Sequence, residues 1–372
     1  MAAAFSSSLW QTQSNISILL PPSNSLAVKF GCSYPNFRPR KLCNVSVNCC
    51  LNFPLEPQSS VGKSLNSILQ NQRTCFYDAV SMELNQVVED REAAFARFNL
   101  SLGSDEASLH RRIAKLKEAE SQLAVEDALY MIILYNFSNI RVPLVPTLSK
   151  CLYKGRLEIL PSKDYELESI HSSEVLEMVK EHLGTAVGWK AGSSVSVNWS
   201  PTNIRRHHLS QVYAASILYG YFLKSASRRL CLEHNVPSTT FQNFPFGSWT
   251  SLIERASCGF ENVTLGPTTS SRSTAMSQVT KKPRNKEANL KCYVMGFDVQ
   301  TMEQCAKLRS KEAVELIDKH CSALFGDDNV ESNDLILTSL SSLKRLVLEA
   351  VAFGCFLWEA EEYVSRIYEL KN

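Results

Sequence analysis

The chain reads as an all-α, mostly helical protein: a helical bundle containing two related helical hairpins, with a disordered N-terminal presequence and an internal linker. Three observations point there. Apolar residues recur at three- and four-residue intervals over most of the length, the stripe of an amphipathic helix. Two distant stretches resemble each other in order and spacing. The composition of the 372 residues, 44% hydrophobic and 20% charged, is that of a chain able to bury a core, which excludes a fully disordered, collagenous or disulfide-scaffold protein. No apolar run reaches the roughly 18 residues that a spanning helix needs, so an integral membrane protein is not expected.

The first acidic residue is Glu56, while Lys29, Arg38, Arg40 and Lys41 and many serines precede it. A Ser-rich, basic, acid-free start is the composition of an organelle transit peptide, and residues 1–49 are expected to be one. Met1 to Phe5 is uncharged, the apolar residues are scattered among Pro21, Pro22 and Pro35, and Val47-Asn48-Cys49-Cys50 resembles a plastid processing site. The plastid is therefore favoured over the mitochondrion and the secretory route. Removing this segment takes four cations and leaves 35 basic against 37 acidic residues, so no dedicated nucleic-acid binding is expected. The remaining cysteines form no C-x-x-C pair, which argues against a structural zinc site.

Residues 60–137 are expected to form an N-terminal helical pair. Leu65, Ile68, Leu69, Phe76, Val80, Leu84, Val87 and Val88 mark one long helix or two abutting ones, from Ser64 to Phe98. Ser104-Asp105-Glu106 offers an N-cap, and Leu109, Ile113, Leu116, Leu123, Leu129, Ile132 and Ile133 carry the next stripe toward Phe137. Residues 138–235 are expected to hold a Pro-rich loop, extended at Arg156 to Leu160, and the first helical hairpin. Residues 236–290 are expected to be a partly disordered linker, whose stretch from Thr264 to Lys286 carries five cations and no acid. Residues 291–370 form the second hairpin, and 60–370 is expected to be one globular unit.

The two hairpins are matched residue by residue. EVLEMVKEHLGTAVG (Glu174 to Gly188) lies over EAVELIDKHCSALFG (Glu312 to Gly326), each ended by a capping glycine. Downstream, Leu209, Gly220, Phe222, Leu223 and Ala226 fall on Leu343, Gly354, Phe356, Leu357 and Ala360. Ser216-x-x-x-Gly220 and Ala350-x-x-x-Gly354 put small residues one turn apart, which lets two core helices cross closely.

With IRVPLVPTLSKCLYKGRLEILPSKDYELESI (Ile140 to Ile170), EHLGTAVG (Glu181 to Gly188), LRSKEAVELIDKHCSALFG (Leu308 to Gly326) and Ala128 to Phe137, the chain resembles the plant UV-B-induced chloroplast proteins, whose shared domain is of unknown function. The resemblance implies plastid localisation and expression linked to ultraviolet-B stress, and no reaction.

Motif by motif, chemistry is sparse. Val61-Gly62-Lys63-Ser64 ends like a phosphate loop, but Pro57 stands where the first glycine is required. No G-x-S-x-G, H-E-x-x-H or G-x-G-x-x-G occurs, so no catalytic residue is assigned and the chain leans away from enzymes. His182 and His320, each on the apolar stripe of its helix, are the candidate cofactor-binding pair; two facing imidazoles could hold a metal or haem, but no third ligand is evident and no metal site is assigned. Glu174, Glu177, Glu312 and Glu315 are expected to face solvent at helix starts. Arg205-Arg206-His207-His208 is read as a solvated start of the helix beginning near Leu209, and Trp189 and Trp199 as anchors of a loop.

The function expected is that of a non-enzymatic plastid protein of the ultraviolet-B response, acting through protein partners and stromal or peripherally thylakoid-associated. Its alternative is a small-molecule or pigment binder, or an unfamiliar enzyme, with a pocket between the repeats; cofactor and oligomeric state stay unknown.

Overall fold

The computed structural model describes residues 53–159, 162–188, 201–235, 290–326 and 335–370. The expected transit peptide, the Trp189 and Trp199 loop and the Thr264 to Lys286 linker lie outside the described residues. The described fold is mostly helical, as expected, with one small sheet that the helical periodicity did not announce.

Where one or two abutting helices were expected there are two, α1 (Ser60–Asn71) and α2 (Phe76–Leu100), joined by a 3-10 turn at Arg73–Cys75. Ser59 caps α1 by accepting from the Gly62 amide at 2.9 Å. Buried Asp127 fixes this start from below, accepting from the amides of Gln58 and Ser59 and from the Ser59 hydroxyl at 2.6–2.9 Å. Helix α3 (Ala107–Asn139) begins three residues later than the expected cap: Ser104 bonds back to the Ser101 carbonyl instead, and Glu106 precedes the helix with no side-chain cap. Its C-terminal half is buried on every side from Ala124 to Leu134, as an all-round apolar helix requires.

Short elements α4 (Leu148–Cys151), β1 (Leu152–Tyr153), β2 (Arg156–Leu157) and α5 (Asp164–Glu168) follow the Pro-rich segment. Then come α6 (Ser173–Val187), β3 (Pro201–Arg205) and α7 (Arg206–Asn235). After the linker lie α8 (Leu290–Met295), α9 (Val299–Ala306), α10 (Lys311–Phe325), β4 (Leu335–Ser339) and α11 (Leu340–Val364). The sheet order is β1-β2-β4-β3. β2 and β4 run parallel; β3 and β4 run antiparallel, with Asn203 opposite Leu337.

Each of β3 and β4 runs straight into a long helix, α7 and α11, so their pairing sets the starts of both helices against one another. Gly220 lies fifteen residues beyond Arg205, and Gly354 fifteen beyond Ser339. The two glycines meet the partner backbone reciprocally. A methyl group on Gly220 would stand 2.0 Å from the Val351 carbonyl oxygen, and one on Gly354 would stand 1.9 Å from the Ile217 carbonyl oxygen. Helix α11 is the axis of the core, buried continuously from Arg345 to Trp358, with α3, α6 and α7 packed round it.

Gly220→Ala or Gly354→Ala must push backbone from backbone, because no side-chain rotation relieves the contact. We expect each to cost about 3 kcal/mol, lowering the thermal midpoint by roughly 6–12 °C; circular dichroism melts of the purified variants check this.

Candidate functional site: a sealed polar network

Of the polar groups that sequence reasoning singled out, His320 lies at the α7–α11 contact, between Tyr213 and Phe353, together with several that it missed. Arg345 and Glu349, one helical turn apart on α11, form an ion pair of 2.8 Å with 2% and 0% of their side-chain surfaces exposed. Charges so deeply buried need further partners. The Pro-rich segment supplies them: the Val145 amide donates to both carboxylate oxygens of Glu349 at 3.2 and 3.0 Å, and Arg345 donates to the Pro143 carbonyl at 2.8 Å. From α7, the Tyr213 hydroxyl donates to Glu349 at 3.2 Å.

His320 sits at the other side of Tyr213, its Nε2 3.2 Å from the hydroxyl. Since that hydroxyl's proton goes to Glu349, the contact assigns the Nε2–H tautomer to His320. Its ring stacks on Phe353, centroids 4.4 Å apart, and its Nδ1 is buried without a hydrogen-bond partner. His182, on α6, stacks on Tyr219 with ring centroids 4.3 Å apart. Its Nε2 lies 2.9 Å from the Ser216 hydroxyl, which donates its own proton to the Val212 carbonyl. The structure thus places His182 against α7 residues and His320 between Tyr213 and Phe353; it does not bring the two imidazoles together as a facing pair.

A second buried carboxylate repeats the pattern one face along. Glu361 accepts from the Tyr221 hydroxyl at 2.6 Å and from Ser310 at 2.5 Å. Ser310 also caps α10 by accepting from the Ala313 amide. Glu312, expected in solvent, is 2% exposed, and both its carboxylate oxygens are buried without a hydrogen-bond partner. The first turn of α10 packs into the core, whereas the first turn of α6 leaves Glu174 half-buried and accepting from the Leu290 amide at 2.9 Å. Of the basic cluster, Arg206 opens α7 and donates to the Phe325 carbonyl at 3.4 Å.

Burial sets the ionisation of these groups. It holds His182 down at about 4 and His320 at about 3, so both imidazoles are neutral at physiological pH. It pushes Glu349 and Glu361 above the carboxylate's ordinary value, against the pull of Arg345 on the first and of Ser310 and Tyr221 on the second. Tyr213 is raised well above a phenol's usual value by the same desolvation and by the Glu349 charge.

Glutamate, phenol and imidazole in series could pass a proton, but Tyr213, His320 and Glu349 are all fully buried. A cavity of about 660 Å³ lies elsewhere, lined by Arg91, Glu92, Phe95, Ala96, Asn99 and Glu118 of α2 and α3. Among the described residues no three His, Cys, Asp or Glu side chains are grouped to hold a metal, and no helix is long and apolar enough to cross a membrane.

Fold and network together define a class: a helical bundle whose interior polar groups latch an irregular Pro-rich segment onto a central helix. The sequence profile of a protein family of unknown function, DUF760, matches residues 108–236 and 289–365, which contain that whole arrangement. The chain belongs to this family. It is 35% identical over 332 residues to the UV-B-induced protein At3g17800, chloroplastic, of Arabidopsis thaliana, an alignment that covers 85% of this chain and 77% of that protein. No solved structure matches.

Removing one member of the buried pair leaves the other charge stranded. Arg345→Met or Glu349→Leu alone should cost about 3–5 kcal/mol. The double variant should cost less than their sum, yet stay destabilised because the Val145 amide and Pro143 carbonyl lose their partners. Urea unfolding of the four proteins completes this cycle.

The histidines make a pH prediction of definite sign. An unfolded imidazole ionises near 6.5 and folded His320 near about 3, so between these values the unfolded state holds the extra proton and stability rises with pH. Glu349 and Glu361, raised from 4.5 in the fold, act oppositely, losing stability as pH rises above that value. The contribution of His320 is therefore isolated by difference. His320→Gln should flatten the rise in unfolding free energy by up to about 1.4 kcal/mol per pH unit within the window, measured by urea titrations at several pH values.

Proposed function

We propose that this chain is a plastid protein of the ultraviolet-B response that works through molecular contacts rather than by catalysis. The observation that carries this reading is the use of the candidate polar residues: Arg345, Glu349, Tyr213, His182, Ser310 and Glu361 spend their hydrogen bonds on holding helices and the Pro-rich segment together. The chloroplastic, UV-B-induced relative supports the location and the inducing stress, and the Ser-rich, acid-free start supports a transit peptide over residues 1–49.

Residues 60–370 form in this reading one globular unit that contains a duplicated hairpin. Equal helix lengths in α6 and α10, serine caps before each, and the stacking of His182 on Tyr219 and His320 on Phe353 support the duplication. So do the reciprocal contacts of Gly220 and Gly354. The partners proposed are other proteins of the same compartment.

The test is native mass spectrometry of the protein purified from plastids before and after ultraviolet-B exposure, paired with its denatured mass. We expect a rise in abundance on exposure, a polypeptide shortened near residue 49, and a native mass accounted for by polypeptide chains alone. A small molecule released on denaturation would overturn the contact reading in favour of a ligand binder or an enzyme, with His182 and His320 the first residues to substitute.

A further inference from the structure

The far end of the α2–α3 hairpin is built differently from the rest of the molecule. Between Ala94 and Ala114, both buried, nineteen consecutive residues include none that is buried. The stretch nevertheless carries large apolar side chains in water: Leu100 is 87% exposed, Leu102 64%, Leu109 57% and Phe95 51%, with Leu116 of α3 also exposed. Isolated exposed leucines are ordinary. Several on one hairpin end that covers no core are a contact surface.

Charge selects the kind of partner. From Phe95 to Leu116 the hairpin holds four cations, Arg97, Arg111, Arg112 and Lys115, against two acids, Asp105 and Glu106, at its turn. Glu106 lies 3.7 Å from His110 on the following helical turn. The four cations are each exposed or nearly so on the flanks below the turn. A second copy of this chain would bring a like net charge to the contact. Apolar groups stand on both helices of this end, Phe95 and Leu100 on α2 and Leu109 and Leu116 on α3.

We propose that this hairpin end docks on an anionic lipid surface, with Leu100, Leu102 and Leu109 entering the headgroup boundary while Arg97, Arg111, Arg112 and Lys115 face acidic headgroups. Burying leucine and phenylalanine side chains at that depth while basic residues meet anionic lipid is the physics of interfacial anchors. Among the described residues no helix is long and apolar enough to cross a bilayer, and the proposed association is peripheral and reversible. It does not rest on the ultraviolet-B link, and either can fail without the other.

The test uses the full chain with vesicles of phosphatidylcholine alone or mixed with phosphatidylglycerol. Because residues 1–49 are basic and could bind such vesicles themselves, the readout is placed on the hairpin: Leu102→Trp adds an emission that acyl chains brominated near the headgroup quench on insertion. We expect this added emission to be quenched only by vesicles containing phosphatidylglycerol, and less at high salt. Leu100→Asp with Leu102→Asp should lower the hairpin-dependent affinity at least tenfold. Each of Arg111→Gln and Lys115→Gln should lower it about fivefold, with unchanged circular dichroism since all four sites are exposed. Unquenched emission, or vesicle binding indifferent to these substitutions, would overturn the proposal. So would self-association, or loss of a protein partner, as the only property that the Leu100→Asp and Leu102→Asp changes remove.

Discussion

Everything inside this bundle follows from two helices approaching until backbone meets backbone. Pairing of β3 with β4 delivers α7 and α11 to that approach, and glycine at 220 and at 354 is what permits it. Closeness at the crossing has a consequence for the positions around it. Tyr213 and Tyr221 on α7 are laid over Glu349 and Glu361 on α11, and the carboxylates lose their water. A carboxylate so placed must be neutralised or hydrogen-bonded. Glu349 is served by Arg345, Tyr213 and a loop amide; Glu361 is served by Tyr221 and the capping serine of α10.

The same demand explains why a stretch with no helical or strand period is ordered. The segment around Pro143 and Pro146 has few amides to offer, since proline has none. Val145 lies between the two prolines, and its amide donates to Glu349, while the Pro143 carbonyl accepts a hydrogen bond from Arg345. The buried ion pair is thus a receptacle shaped for backbone. Further along, Ile159 donates to Ser342, and Lys344 bridges Asp164 and Glu168 of α5, so the chain between α3 and α6 is fastened to α11 at successive points.

Helix positions were legible because apolar periodicity survives tertiary packing: α2, α3, α6, α7, α10 and α11 all lie where the stripes place them. The close crossing was legible from the small residues one turn apart. The β3–β4 pair was not, since five-residue strands such as Pro201–Arg205 alternate too briefly to be told from loop. Nor was the network. Glu349 reads in sequence as a charge interrupting an apolar helix and Glu312 as an acid complementing a helix start, and both are buried. What decides their burial is which helix lies opposite, a long-range fact absent from local pattern. The histidine on each stripe was the available signal, and it located the neighbourhood but not its acid, arginine and tyrosine members.

Helix α3 shows how the sealed interior and the exposed hairpin belong to one design. It runs for 33 residues, about 50 Å at the α-helical rise, and changes character along its length. From Ala124 to Leu134 every residue is buried, and Glu126 pairs with Lys319 of α10 at 2.5 Å. Before Ala114 no residue of it is buried. A helix held that firmly over its last four turns carries its first turns outward as a stiff lever, because intrahelical hydrogen bonds do not depend on lateral contacts. The polar network, by fixing α11 and the segment that follows α3, therefore also fixes the direction in which the leucines and cations of the hairpin end are held. In the proposed reading, position comes from the interior and contact from the surface.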